Sequence, residues 1–189
     1  MSHSLTKPLL AAGLLLSVSM SVQAQQPSYS YIEGGLGFLD VDVSGASTET
    51  GFFAGFSAQL GNSFYATANF EEYDLGPIDL SLFKAGLGFR QEISNRTDLN
   101  VELGYDNTDA EIIDGDGFRA TVGLRSALTS RFHTRAYAGY STDSDFDSGE
   151  FLIGAEGNIL VSDRFALTLQ IESIEFDANL GRVGLRYMF

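Results

Sequence analysis

Apolar and polar residues alternate with a period of two along most of the chain. In 64–70, Phe64, Ala66, Ala68 and Phe70 alternate with Tyr65, Thr67 and Asn69. In 83–90, Phe83, Ala85, Leu87 and Phe89 alternate with Lys84, Gly86, Gly88 and Arg90. The same holds for 99–106, where Leu99, Val101, Leu103 and Tyr105 alternate with Asn100, Glu102, Gly104 and Asp106. It holds again for 118–125, with Phe118, Ala120, Val122 and Leu124 against Arg119, Thr121, Gly123 and Arg125. Such alternation marks strands with two unlike faces. Stretches near 29–39, 51–60, 132–140, 151–160, 165–172 and 180–189 behave alike. Ten candidate strands result, of roughly nine to eleven residues, the length a tilted strand needs to cross a bilayer.

The connections predict the topology. Five segments, 40–50, 71–79, 106–117, 141–150 and 172–178, hold 19 of the 25 acids and no Lys or Arg. Between them lie four short turns: 61–63, 91–97, 126–131 and 161–164. Arg96, Arg131 and Arg164 sit in these turns, with Arg90 on a flank. Long acidic and short basic-leaning connections alternate strictly, as in an up-and-down antiparallel barrel whose odd and even connections emerge at opposite ends. Five loops and four turns need ten strands. The alternative is eight strands, with one hairpin, 29–60 or 165–189, misread.

Residues 1–24 have the form of a cleavable signal peptide, with Lys7 as the positive region and Leu9 to Val18 as the apolar run. Cleavage after Ala24 leaves Gln25 first and one barrel domain over 25–189. The apolar run is shorter than the ~20 residues of a spanning helix, which disfavours the alternative of an N-terminal anchor. In hydrocarbon only helices and closed barrels satisfy every backbone group, so an exported chain of alternating strands points to a barrel in the outer membrane.

Composition narrows the chemistry. The net charge is -14 over 189 residues, which argues against nucleic acid as a partner. Cysteine is absent, so disulfides, zinc–thiolate sites and cysteine nucleophiles are excluded. Aromatics cluster at strand ends. Phe64, Phe89, Phe132, Phe165 and Phe189 flank the short turns or end the chain; Phe38, Phe52, Phe70, Phe118, Tyr140 and Phe151 flank the loops. Two girdles around a band of Ala, Leu and Val suit a membrane barrel. A soluble lipocalin-like barrel is the alternative, with the apolar set inside.

The last strand reads Gly181-Arg182-Val183-Gly184-Leu185-Arg186-Tyr187-Met188-Phe189, with Val183, Leu185, Tyr187 and Phe189 on one face. This ending resembles the C-terminal signal of Gram-negative outer-membrane barrels, and the resemblance implies that Phe189, Tyr187 and Leu185 are read by the barrel assembly machinery. The whole of 29–189 resembles small outer-membrane barrels of the OmpA-like and Opacity type. More narrowly it resembles the Ax-type outer-membrane proteins of xanthomonads, through Tyr29-Ser-Tyr31-Ile-Glu33-Gly34-Gly35, Thr97-Asp98-Leu99 and Val122-Gly123-Leu124-Arg125-Ser126-Ala127-Leu128. These motifs are structural and imply location and fold, not a reaction.

With the apolar set facing lipid, parity turns seven bases inward: Lys84, Arg90, Arg119, Arg125, Arg135, Arg182 and Arg186. They would meet Glu33, Glu102, Glu156 and Glu172, with His133 and Gln170 on the same face. Paired charges at matching heights would plug the lumen; unmatched ones would line a pore. Inward glycines on most strands, such as Gly88 and Gly154, would leave room for water.

The function expected is therefore non-catalytic, a structural or surface-interaction role in the envelope. A narrow channel for small hydrophilic solutes is the alternative, and an outer-membrane enzyme acting on lipid A the third reading. His133 is the one histidine of the mature chain and sits near a turn, read as a wall residue rather than a base. Asp143-Ser-Asp145-Phe-Asp147-Ser-Gly149 opens like a calcium loop, but Ser148 and Gly154 stand where that loop needs Gly and Glu. No catalytic residue, metal or cofactor is expected. The expected partners are outer-membrane lipids, lipopolysaccharide and the assembly machinery, around a monomer.

Overall fold

The computed structural model describes residues 26–41, 48–76, 79–110, 113–143, 149–175 and 178–189. The signal-peptide expectation over 1–24, and most of the calcium-like segment, lie outside the described residues. Ten strands form: β1 Tyr31–Val41, β2 Glu49–Leu60, β3 Phe64–Asp74, β4 Asp79–Ser94 and β5 Thr97–Ala110, then β6 Ile113–Ala127, β7 Phe132–Asp143, β8 Glu150–Leu160, β9 Phe165–Ile174 and β10 Ala178–Met188. Each pairs antiparallel with its chain neighbours, and β1 pairs with β10 to close the barrel. Both hairpins that an eight-strand reading would remove are present.

Period two sorts the side chains. On β2, Phe52 and Phe56 are about half exposed, while Phe53 and Ser57 between them are buried. On β10, Val183 and Leu185 are exposed and Arg182 and Arg186 buried. The apolar set is on the outside, as in a membrane barrel and unlike a lipocalin. Girdle aromatics meet across strands: Phe64 and Phe89 are register partners with ring centroids 5.5 Å apart, and Phe52 and Phe70 lie 6.0 Å apart.

The strands run further toward the loops than the alternation had marked. β5 ends at Ala110 and β6 begins at Ile113, so much of the acidic segment 106–117 is strand. Glu71 thus belongs to a strand rather than a loop, and Asp106 and Glu172, which stood at the boundaries between strand and loop, lie within strands. At the other end the strand expected from 29 begins at Tyr31, and residues 26–30 form a separate strap beneath the barrel. The two rims are called here the loop end and the turn end. Gly61, in the β2–β3 turn, has φ 69°, a left-handed backbone that favours glycine.

Candidate functional site

Among the described residues, the lumen is where the fold gathers charges of both signs. Inward parity from Glu33 on β1, Lys84 on β4 and Arg182 on β10 brings side chains from all around the wall onto a common axis. The seven predicted bases all point inward. The acids number seven as well, because Glu71, Asp98 and Asp106 join Glu33, Glu102, Glu156 and Glu172. Among the described residues the lumen is therefore charge-balanced, where the sequence reading set seven bases against four acids.

The loop-side tier is a chain of six alternating charges. Arg182 donates to Glu71 through both Nε (3.0 Å) and Nη2. Lys84 Nζ lies 3.5 Å from Glu71 and 3.4 Å from Glu172. Arg119 Nη1 donates to Glu172 at 3.0 Å, and its Nε to Asp106 at 2.7 Å. Tyr137 adds a hydroxyl to Glu172 at 2.6 Å, and Tyr73 one to Glu71 at 2.7 Å. Lys84 and Glu172 are 88 residues apart in sequence, so the chain crosses the barrel and ties opposite walls together.

A second tier lies toward the turn end. Arg186 donates to Glu33 through Nε (2.8 Å) and to Glu156 through Nη1 (2.7 Å), with Tyr31 under its guanidinium at 3.8 Å. Arg135 reaches Glu102 at 3.7 Å and donates to Asn100. Arg90 pairs with Asp98 at 3.3 Å. Arg125 is in none of these ion pairs among the described residues, although Asp98 is its register partner. The strap takes it instead: Nη1 donates to the Ser28 carbonyl at 3.1 Å, and the guanidinium lies 4.4 Å from the Tyr29 ring. Tyr29 is 1% exposed, packs on Tyr65 at 4.8 Å and has Arg90 5.1 Å from its ring. Burial pushes its phenol up to about 12, so it stays neutral. The strap lays this one aromatic ring across part of the turn-end mouth, beside an open recess of about 390 Å³ bordered by Gln26, Ser28 and His133.

Toward the loop end the inward parity changes character. Leu39, Tyr73 and Leu180 form a buried cluster, with Leu80, Leu82 and Ile174 packed on it. Leu152 joins the inward face, fully buried. An apolar layer of this kind excludes water from a narrow pore. The sequence carried the signal, since Glu33 to Leu39 and Lys84 to Leu82 and Leu80 are steps of two, but the reading stopped at the charges. Between the tiers remains a cavity of about 60 Å³, bordered by Lys84, Glu102, Arg119 and Glu172, and nearer the loops one of about 80 Å³.

Two of the inward glycines do not hold water open, although Gly104 borders the smaller cavity. A side chain at Gly88 would run into the Tyr65 ring, and one at Gly154 into the Tyr137 ring. Both are register pairs, so each tyrosine lies over the glycine opposite. Gly88→Ala is expected to cost about 1–3 kcal/mol by overpacking, read as a lowered urea midpoint. Adding Tyr65→Val should restore much of the loss. Equal midpoints for Gly88→Ala and wild type would refute the packing argument.

His133 is buried at the turn end opposite Asn158, and its Nε2 has no hydrogen-bond partner among the described residues. Leu185 is 58% exposed and Phe189 62%, on the outer face with Tyr187, which packs on Phe165 at 5.0 Å.

No protein-family model matches the chain, and no curated protein matches it. Solved structures do. The NanC porin is 8% identical over 85% of this chain and 100% of its own, with a TM-score of 0.56. The KdgM porin is 9% identical over 84% and 99%, with a TM-score of 0.51. OprG from Pseudomonas aeruginosa is 13% identical over 89% and 99%, at 0.42. The first two likenesses are of fold: this chain is a transmembrane antiparallel β-barrel of ten strands.

Proposed function

We propose that the protein is an integral, non-catalytic outer-membrane barrel with a structural or surface-interaction role, its lumen locked by its own charges. The observation that carries this is the six-charge chain from Arg182 to Asp106, closed above by the apolar layer and partly covered below by Tyr29. Buried charges that already have partners offer little to a passing ion. The acidic loop end then faces outward, and lipopolysaccharide or a neighbouring surface is what it touches. The finer resemblance to the Ax-type group rests on its sequence motifs, and assembly through Phe189, Tyr187 and Leu185 on the C-terminal resemblance.

The channel reading is favoured by one observation. The two cavities share Lys84, Asp106 and Arg119 on their walls, so a swing of Arg119 would join them. The likeness to structures titled as porins supports the same direction. Conductance of the refolded protein in a planar bilayer separates the readings. Wild type is expected to be silent while folded and β-rich. Steady conductance whose ion selectivity shifts with Arg125→Ala or Arg186→Ala would establish the channel instead.

A further inference from the structure

Three of the four short turns repeat one pattern: an apolar residue, Ser or Thr, a variable residue, then Arg. They are Ile93-Ser94-Asn95-Arg96, Leu128-Thr129-Ser130-Arg131 and Val161-Ser162-Asp163-Arg164. In each, the arginine's backbone N–H donates to the hydroxyl two residues earlier, at 3.2, 3.2 and 3.3 Å. In the second and third, the same hydroxyl also accepts from the backbone N–H of Phe132 (2.9 Å) and Phe165 (3.1 Å). The hydroxyl thus shapes the turn. That job needs neither the apolar side chain nor the guanidinium, so both positions require a separate reason.

Their placement supplies one. Ile93, Leu128 and Val161 are 57%, 53% and 64% exposed. Each continues an outward row of its strand past the girdle, as Val161 follows Ile159 and Leu128 follows Leu124 by steps of two or four. The residue after the arginine reopens the outward row of the next strand: Phe132 and Phe165 are exposed there too. Each arginine therefore stands in the chain between outward residues, where the apolar surface ends. Arg164 Nη1 donates to the Tyr187 hydroxyl at 3.4 Å, at the rim beside the outward Phe165 ring. An arginine stem lying along apolar surface with its planar fork at the water boundary matches a headgroup phosphate. Glu92 and Asp163 are the acids nearby, leaving the three turns net positive, whereas the loop end is acidic throughout.

We propose that the three arginine turns bind anionic phospholipid headgroups of the leaflet at the turn end, anchoring the barrel's lower rim to it. The inference rests on the membrane-spanning fold and not on whether the lumen conducts.

The test refolds the protein into vesicles of phosphatidylcholine alone or mixed with phosphatidylglycerol, and reads the urea midpoint by circular dichroism and heat-modifiable mobility. Phosphatidylglycerol is expected to stabilise wild type in a salt-sensitive way. Arg96→Gln/Arg131→Gln/Arg164→Gln should lose that gain, about fivefold in the folding equilibrium per arginine, with the phosphatidylcholine midpoint unchanged. Lysine at the three positions should keep most of it. A triple variant with the wild-type response to phosphatidylglycerol, or one weakened equally in both vesicles, overturns the proposal. So does a variant that is normal in vesicles yet fails to assemble in cells, which would point to a protein partner. If the triple variant does not refold, Arg131→Gln alone carries the comparison.

Discussion

Glu172→Gln is expected to destabilise the folded barrel by about 3–5 kcal/mol, the usual cost of breaking a buried pair from one side. Glu172 accepts from Arg119 and Tyr137 and faces Lys84, and it is almost fully buried. The amide keeps the shape but removes the charge, and it turns one acceptor into a donor aimed at donors. Lys84 keeps Glu71 and Arg119 keeps Asp106, so the six-charge chain is cut in the middle rather than dissolved. The urea midpoint in vesicles measures the loss. Glu92→Gln, on an exposed turn-end side chain, is the control and should stay within about 0.5 kcal/mol of wild type. Adding Lys84→Met to Glu172→Gln should return part of the stability, because the cation facing the new amide is removed while Glu71 keeps Arg182. A Glu172→Gln midpoint equal to wild type would mean that water, not the ion chain, fills this tier, and the locked-lumen reading would fall.

Leu103→Arg should be the second large effect, for the opposite reason. Leu103 is 64% exposed in mid-strand, opposite Leu87 on the lipid-facing side. An arginine at the bilayer midplane of a barrel costs about 2–4 kcal/mol, falling to about 0–1 near the interfaces. Phe118→Arg, at the loop-end girdle, should therefore cost clearly less. The pair measures depth as well as sidedness. Equal losses at the two positions, or none at Leu103 in vesicles, would contradict a hydrocarbon environment for this face. Charge is thus required on one face of β5, at Glu102, and forbidden on the next residue.

Much of the site was legible because strand parity is local. Each side chain's face follows from its position within one strand, so the seven bases and Glu33, Glu102, Glu156 and Glu172 were placed inward from the sequence alone. The three missed acids share a cause. Glu71 was counted as loop because acidity itself marked the loops, Asp106 stood on the boundary of strand and acidic loop and was left out of the inward charges, and Asp98 adjoins a turn. Extending parity three residues past each boundary would have found Glu71 and Tyr73, Leu80 and Leu82, and Ile174. The glycines misled differently. A missing side chain looks like space in one strand, and only the neighbour's ring, as with Tyr65 over Gly88, shows it to be filled.

The sequence by itself determined ten strands, the up-and-down order, the lipid face and the sign of charge at each end, since period two and connection length are properties of short windows. The tertiary structure alone decided who meets whom. Arg182 finds Glu71 across 111 residues, Lys84 finds Glu172 across 88, and Tyr29 folds under Arg125. Those heights depend on the stagger of each strand against the next and on barrel closure between β1 and β10. That quantity accumulates around the whole wall and is written in no single segment.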